Sequence, residues 1–348
     1  MTLNKIALCL SITLVSSCSS LAFAGSATSS SITEAIKNGK SAINLNLRYE
    51  TVDQDNAKKD ADALTLRTRL TYTTGVFDGF SSLIEFEDSR TVFGMDDYNN
   101  TLGKNTDYSV IADPETTELD QFLLQYKQES LAIKVGRQLV TRDNHRFVGH
   151  VGWRQDRQTF DGVTFAYQPM KDLTFDYGYL TKRNRIFAEV KDIDSNDHLL
   201  NAAYKTELGK ISAYGYLLEV DNETENGLDT FGVRFNGATS IGERKISYQF
   251  EYAQQDADSM TTSYSADYLL AEVSSSFSGI GVKIGYELLG SDDGNYGFST
   301  PLATLHKFNG WSDQFLNTPK EGLADLYASV GGTVAGGKWA VIYQHLVV

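Results

Sequence analysis

The chain has 348 residues, 45 acidic against 31 basic side chains and a formal net charge of -14, a balance that argues against a nucleic-acid partner. With 19 Tyr, 18 Phe, 29 Gly and 4 Pro, and no run of 18 apolar residues, it has no transmembrane helix. Two classes remain: a secreted all-β protein, or an outer-membrane protein whose strands are apolar at every second residue.

Residues 1–24 read as a secretory signal, with Lys5 in the n-region, Ile6 to Val15 as the apolar run, and Ala22-Phe23-Ala24 as the cleavage site before Gly25. A competing reading takes Val15-Ser16-Ser17-Cys18 as a lipoprotein box with Cys18 acylated. Both cysteines, Cys9 and Cys18, lie in this segment, so cleavage after Ala24 leaves a chain without disulfide or thiolate chemistry. Residues 25–40 form a linker and a short helix, SITEAIKNGK, capped by Ser31 or Thr33 and ended at Gly39.

From residue 41 to 348 the pattern has period two. Ile43, Leu45, Leu47 and Tyr49 alternate with Asn44, Asn46, Arg48 and Glu50, and Leu64, Leu66, Leu70 and Tyr72 with Thr65, Arg67, Arg69 and Thr71. The sets Leu173 to Tyr179, Ile246 to Tyr252 and Ile280 to Leu288 repeat the theme. Such alternation over about ten residues predicts a strand with one apolar and one polar face, and about fifteen of them are present. Connections near 74–79, 128–130, 168–172, 206–210, 236–243, 275–280 and 333–337 are short. Those near 52–62, 88–118, 140–158, 181–197, 221–227, 255–263 and 290–321 are mostly longer and polar. This alternation predicts a transmembrane antiparallel up-and-down β-barrel, with tight turns on the periplasmic side and long loops outside. Tyr49, Tyr72, Tyr126, Tyr167, Tyr179 and Trp339 fit an interfacial girdle. An odd strand count that ends on the outer side at Val348 leaves two readings, a strand missed in the count or closing strands beyond the sequence, since bacterial single-chain barrels have an even number.

Positive charge gathers in GRQLVTRDNHRFVGHVGWRQDRQ, residues 136–158, which holds Arg137, Arg142, Arg146, Arg154 and Arg157. The loop 297–322 carries Phe298, Leu302, Leu305, Phe308, Trp311, Phe315 and Leu316, too much apolar surface to leave in water. It is expected to fold into the lumen or over the mouth, or to meet another subunit. GRQLVTRDNHRFVGHVGWRQDRQTFDGV resembles the arginine-rich segment of the alginate-export family of outer-membrane porins. TPLATLHKFNGWSDQFLNTP is similar to a motif of porins grouped with it, and ALTLRTRLTYTTGVFDGFSSLIEFED also resembles them. The resemblance spans roughly residues 31 to 348. It implies a barrel of about eighteen strands, some beyond Val348, with a basic lumen that loops make narrower.

Parity assigns the charges that line a pore. Arg48, Arg67, Arg69, Glu85 and Glu87 share the polar face of the first strands, with Arg67 and Arg69 expected near Glu85 and Glu87 across a hairpin. Lys134 faces inward. Arg137 has the outward parity of Leu131, Ile133 and Val135, and a bulge at Gly136 would turn it inward; otherwise it meets lipopolysaccharide phosphate at the rim. Arg142, Arg146, Arg154 and Arg157 belong to the loop between strands, where they either contact solute or pair with acidic neighbours. Phe298, His306, Phe308, Trp311 and Phe315 form a second, aromatic constriction element. The histidines His145, His150, His198, His306 and His345 show no metal-ligand spacing, so neither metal nor cofactor is expected. Neither a nucleophile elbow nor a Ser–His–Asp set is recognisable, so an enzyme is not expected.

The expected function is passive diffusion through the outer membrane, with an arginine-rich constriction favouring anionic small solutes or uronate-type oligosaccharides. The expected partners are outer-membrane lipid, lipopolysaccharide and those solutes; oligomeric state is left open. The rival is a loop-plugged barrel that acts as a receptor, adhesin or hydrolase.

Overall fold

The computed structural model describes residues 5–17 as backbone alone and residues 28–224, 226–242 and 244–348 in full. The cleavage site, Cys18 and Glu225 lie outside the described residues. One helix, α1 (Ile32–Lys37), follows the linker. Ser31 caps it as expected, its hydroxyl accepting from the Glu34 N–H at 3.2 Å.

The strands are β1 (Lys5–Ser17), β2 (Lys40–Gln54), β3 (Ala61–Thr73), β4 (Phe80–Asp97), β5 (Thr116–Gln128), β6 (Leu131–Gln138), β7 (Thr159–Met170), β8 (Leu173–Asn184) and β9 (Ile193–Lys205). There follow β10 (Lys210–Glu219), β11 (Gly227–Ile241), β12 (Arg244–Asp258), β13 (Ser263–Phe277), β14 (Ile280–Leu289), β17 (Leu323–Val334) and β18 (Gly337–Val347). The pair β15 (Ser291–Asp292) and β16 (Tyr296–Gly297) is a separate two-stranded hairpin. The other sixteen strands run in chain order through one sheet, antiparallel from β1 to β6 and from β9 to β18, so the chain is all-β and up-and-down. Fifteen of the sixteen begin at Lys40 or later, the number the periodicity gives. The strand Lys5–Ser17, which contains the apolar run assigned above to the signal, pairs along β2 from Lys5↔Gln54 to Ser17↔Ala42.

The chain divides into two compact units, Met1–Phe165 with Leu180–Asp194 and Leu302–His306, and Ala166–Tyr179 with Ser195–Pro301 and Lys307–Val348. In each, the usual distribution of polar and apolar groups is inverted. Within the first, Arg67 and Arg69 on β3 are 5% and 7% exposed while the adjacent Leu70 is 50% exposed. On β4, Glu85 and Glu87 are buried and Phe86 is exposed. In the second unit Glu251, Ala253 and Gln255 on β12 are buried and Phe250 and Tyr252 exposed. A sheet in water would hide the leucines and wet the arginines, so the exposed apolar face is made for lipid.

The turns fall where the short connections were expected, at 129–130, 171–172 and 278–279, for example. Some long connections are shorter than expected: β4 runs on to Asp97 and β5 starts at Thr116, so the loop read as 88–118 spans 98–115. A close approach in the second unit depends on glycine: a Cβ on Gly232 would sit 2.4 Å from the Tyr214 ring and hydroxyl.

Candidate functional site

The wall of the site is the buried polar face of β2 to β5, and its cover is the loop 139–158, which folds back onto that face. Two clusters of charge result. In the first, Arg48 of β2 donates to Glu50 and to the Trp153 carbonyl, both at 2.5 Å, and lies 3.5 Å from Asp113. Arg154 from the loop reaches Glu50 at 3.0 Å and Asp113 at 3.4 Å. Both guanidinium groups lie over the Trp153 ring, at 4.6 and 4.0 Å from its centroid. Two cations thus share two carboxylates and one aromatic face.

In the second, Arg69 on β3 bonds Glu87, its cross-strand partner on β4, and stands 3.4 Å from Asp120. Arg157 bonds Glu85 and reaches Asp120 at 2.7 Å. Thr71 and Gln121 complete the shell of Glu85. Arg67 donates to Asn44 at 2.7 Å and to the Gln155 carbonyl at 3.4 Å. Its partner in the register is Ser89, so the expected Arg67–carboxylate hairpin pair gives way to one true pair, Arg69–Glu87.

A bulge explains Asp120. The β4–β5 register shifts between Glu85 and Phe86, so that Glu85 faces Gln121 and Phe86 faces Leu119. Asp120 and Gln121 are therefore consecutive and both buried, which strict alternation forbids.

Gln155 is the pin between loop and wall. Its amide donates to Thr65 Oγ1 at 2.7 Å, the Thr65 carbonyl at 3.1 Å and the Asn46 carbonyl at 3.3 Å, and accepts from Asn46 Nδ2 at 3.3 Å. Its N–H donates to Asp113 at 2.9 Å, and its carbonyl accepts from Arg69 at 3.2 Å. It is fully buried.

The remaining expected residues divide. Lys134 stands opposite buried Gln125 and so keeps its inward parity. Arg137 stays on the outer face. Gly136 has φ 116°, yet the β5–β6 register is unbroken and Arg137 faces exposed Phe122. The expected bulge is absent; instead Asp161 holds Arg137 in a two-pronged pair at 2.8 and 3.1 Å, which satisfies it where it stands. Arg142 and Arg146 form the tip of the loop, with Arg142 Nη1 donating to the Thr141 carbonyl at 3.2 Å and Arg146 almost wholly buried.

The segment Leu302–His306 packs on this loop within the first unit. Gly149 N–H donates to the Leu302 carbonyl at 2.8 Å, Val151 N–H to Thr304 Oγ1 at 3.1 Å, and His306 stacks on Trp153 at 3.5 Å and 18°. Only glycine fits at 149, since a Cβ there would lie 2.3 Å from Thr304 Oγ1 and 2.9 Å from Thr304 N. In the second unit Phe298 is fully buried beside Tyr268, and Gln255 anchors the segment by accepting from Ser299 N and the Tyr296 hydroxyl, each at 2.7 Å. Phe308 and Phe315 are half-buried, while Trp311 is 64% exposed and Leu316 39%. The expectation that the whole apolar set is buried holds for Phe298 and Leu302 and fails for Trp311 and Leu316.

Loop groups feel this environment. Burial, and then the positive charge of His145, Arg157 and Arg69, push His150 down to about 4. Burial, and then Glu118 and Glu87, raise Asp156 well above the usual carboxylate range. Burial works against the charge of Arg157, but Asp120 and Glu85 outweigh it and hold the group above the ordinary arginine value. The arrangement can therefore present fixed, preorganised charge of both signs.

The folding pattern agrees with comparisons to known proteins. Seventy-seven chains of solved structure match significantly. OccAB1 of Acinetobacter baumannii superposes with TM-score 0.64 at 12% identity, covering 90% of this chain and 92% of its own. OpdK, an outer membrane protein of Pseudomonas aeruginosa, gives 0.66 at 13% identity, covering 89% and 83%. OpdQ of the same organism gives 0.65 at 15%, covering 90% and 83%. At such identity the likeness shows the fold, that of an outer-membrane porin barrel. No curated protein matches. The model of the family described as alginate export matches residues 40–292, well over half of the sequence. The chain is an outer-membrane porin-type β-barrel and belongs to the alginate export family.

Proposed function

We propose that the protein is a passive diffusion channel whose arginine-bearing loop narrows the path and favours anionic small solutes, uronate-type oligosaccharides among them. One observation carries this reading: the loop 139–158 brings Arg154 and Arg157 onto the wall that already holds Arg48, Arg67 and Arg69. Arginine suits carboxylates because its planar fork donates two parallel hydrogen bonds and keeps its charge. The carboxylates that share these arginines moderate the attraction, as a conducting path requires, since tight binding would block flow. The family's description, alginate export, supports a polyanionic solute. The apolar outer face implies contact with membrane lipid and, at the Arg137 rim, with lipopolysaccharide.

A plugged barrel acting as a receptor is the second reading, favoured by the bonding of Leu302–His306 to the same loop. Planar-bilayer conductance of the full chain separates the two. Steady conductance with an anion-selective reversal potential supports the channel; silence supports the plug.

A further inference from the structure

The second charge cluster does not balance. Glu85, Glu87, Glu118, Asp120 and Asp156 contribute five carboxylates, whereas Arg67, Arg69 and Arg157 contribute three guanidinium groups within their reach. Arg137 also acts on Glu118, but it brings Asp161 with it in a two-pronged pair, so the two together add no net charge. Two negative charges are left over at a buried place, where an uncompensated charge is costly.

The surplus has a location. Glu87 of β4, Glu118 of β5 and Asp156 of the loop each offer one carboxylate oxygen, and the three oxygens lie within 4.8 Å of one another. Glu87 is 1% exposed; Arg69 takes its Oε2, and its Oε1 is buried without a hydrogen-bond partner. The Asp156 backbone is fixed between Gln155 and Arg157, and its Oδ2 accepts from Ala188 N–H at 3.3 Å. One shared proton between Glu118 and Asp156 would leave Glu87 Oε1 bare and one negative charge over. A divalent cation answers both.

We propose that Glu87, Glu118 and Asp156 form a binding site for a divalent cation of the calcium type. The donors are all carboxylate oxygens, which favour hard cations. Oxygens on opposite sides of Ca2+, at about 2.3–2.6 Å from it, are about 4.6–5.2 Å apart, a span the trio fits. Three elements supply the donors, so the ion ties the loop 139–158 to β4 and β5 at the residue next to the Gln155 pin. Sequence scanning for histidine spacing passes over such a site, because its ligands are acidic and lie 31 and 38 positions apart. This site stands apart from the transport reading, since a silent barrel would bind the ion equally well.

The test is equilibrium dialysis with radioactive Ca2+ of the full chain in detergent free of lipopolysaccharide, after removal of bound ions with EGTA. Wild type is compared with the Glu118→Gln/Asp156→Asn double variant and with Asp53→Asn/Asp55→Asn, which removes exposed charge elsewhere. The expected result is one Ca2+ per chain in wild type and in the Asp53/Asp55 variant, and its loss in Glu118→Gln/Asp156→Asn. Equal binding by all three overturns the proposal. Should the double variant not fold, thermal unfolding of the wild type decides: a saturable rise in Tm with CaCl2, not reproduced by NaCl of the same ionic strength, supports the site, and no rise refutes it.

Discussion

Replacing Gln155 by Ala tests how the loop 139–158 is held. The substitution deletes four side-chain hydrogen bonds, two of good length to Thr65 at 2.7 and 3.1 Å and two long ones to Asn46 at 3.3 Å. A neutral hydrogen bond contributes about 0.5–1.5 kcal/mol net, and the partners left behind are buried. Counting the two good bonds fully and the long ones lightly gives about 2 kcal/mol, a shift of about thirtyfold in the ratio of docked to released loop. The backbone contacts to Asp113 and Arg69 survive, so the barrel itself folds and only the loop is loosened. Single-channel recording reads the effect directly. The variant is expected to show frequent transitions to a higher-conductance level that wild type visits rarely, with an unchanged heat-modifiable gel shift. A record indistinguishable from wild type would refute the assignment of Gln155 as the pin.

The other expectations concern charge, protonation and close packing. Changing Arg67 and Arg69 together to Gln should move the reversal potential towards cations, and no shift would remove them from the path. Because breaking the buried Arg69–Glu87 pair costs about 3–5 kcal/mol, gel migration must confirm folding first. His150 is held neutral in the docked loop, its Nδ1 accepting from Gly152 N–H at 2.8 Å, with its pKa lowered from 6.5 to about 4. The released state therefore binds the proton more readily, so docking weakens as pH falls from 6.5 towards 4 and then levels off. High-conductance transitions should rise over that window in wild type and lose this dependence in His150→Gln. Gly149→Ala should push Leu302–His306 away from the loop, because its Cβ would meet Thr304 at 2.3 Å, and speed tryptic cleavage after exposed Lys307. An unchanged cleavage rate would contradict the contact.

The wall was more legible in the sequence than the site. Alternation found fifteen strands and placed Arg48, Arg67, Arg69, Glu85 and Glu87 on the polar face, because parity is a property of the backbone and survives any solute. It could not find Asp120, which a bulge carries to the buried side, or correctly pair Arg67, which the register sets opposite Ser89. Nor did it find Gln155, Trp153 or Asp113, whose importance comes from where the loop folds rather than from any spacing. Glu50 was visible on the polar face beside Arg48, but its role as shared acceptor for Arg48 and Arg154 needs the loop in place. The arginine-rich stretch was recognisable as a cluster. Its residues part company in space: Arg154 and Arg157 reach the wall, Arg137 stays on the outer face with Asp161, and Arg142 and Arg146 form the tip.

The central claim, that this barrel is a diffusion channel with a basic narrow path, is tested most directly by the reversal potential of the full chain in a planar bilayer under a salt gradient. Such a channel is expected to show discrete openings and a potential displaced towards the chloride equilibrium value. The absence of openings, or a displacement towards the cation value, would contradict it.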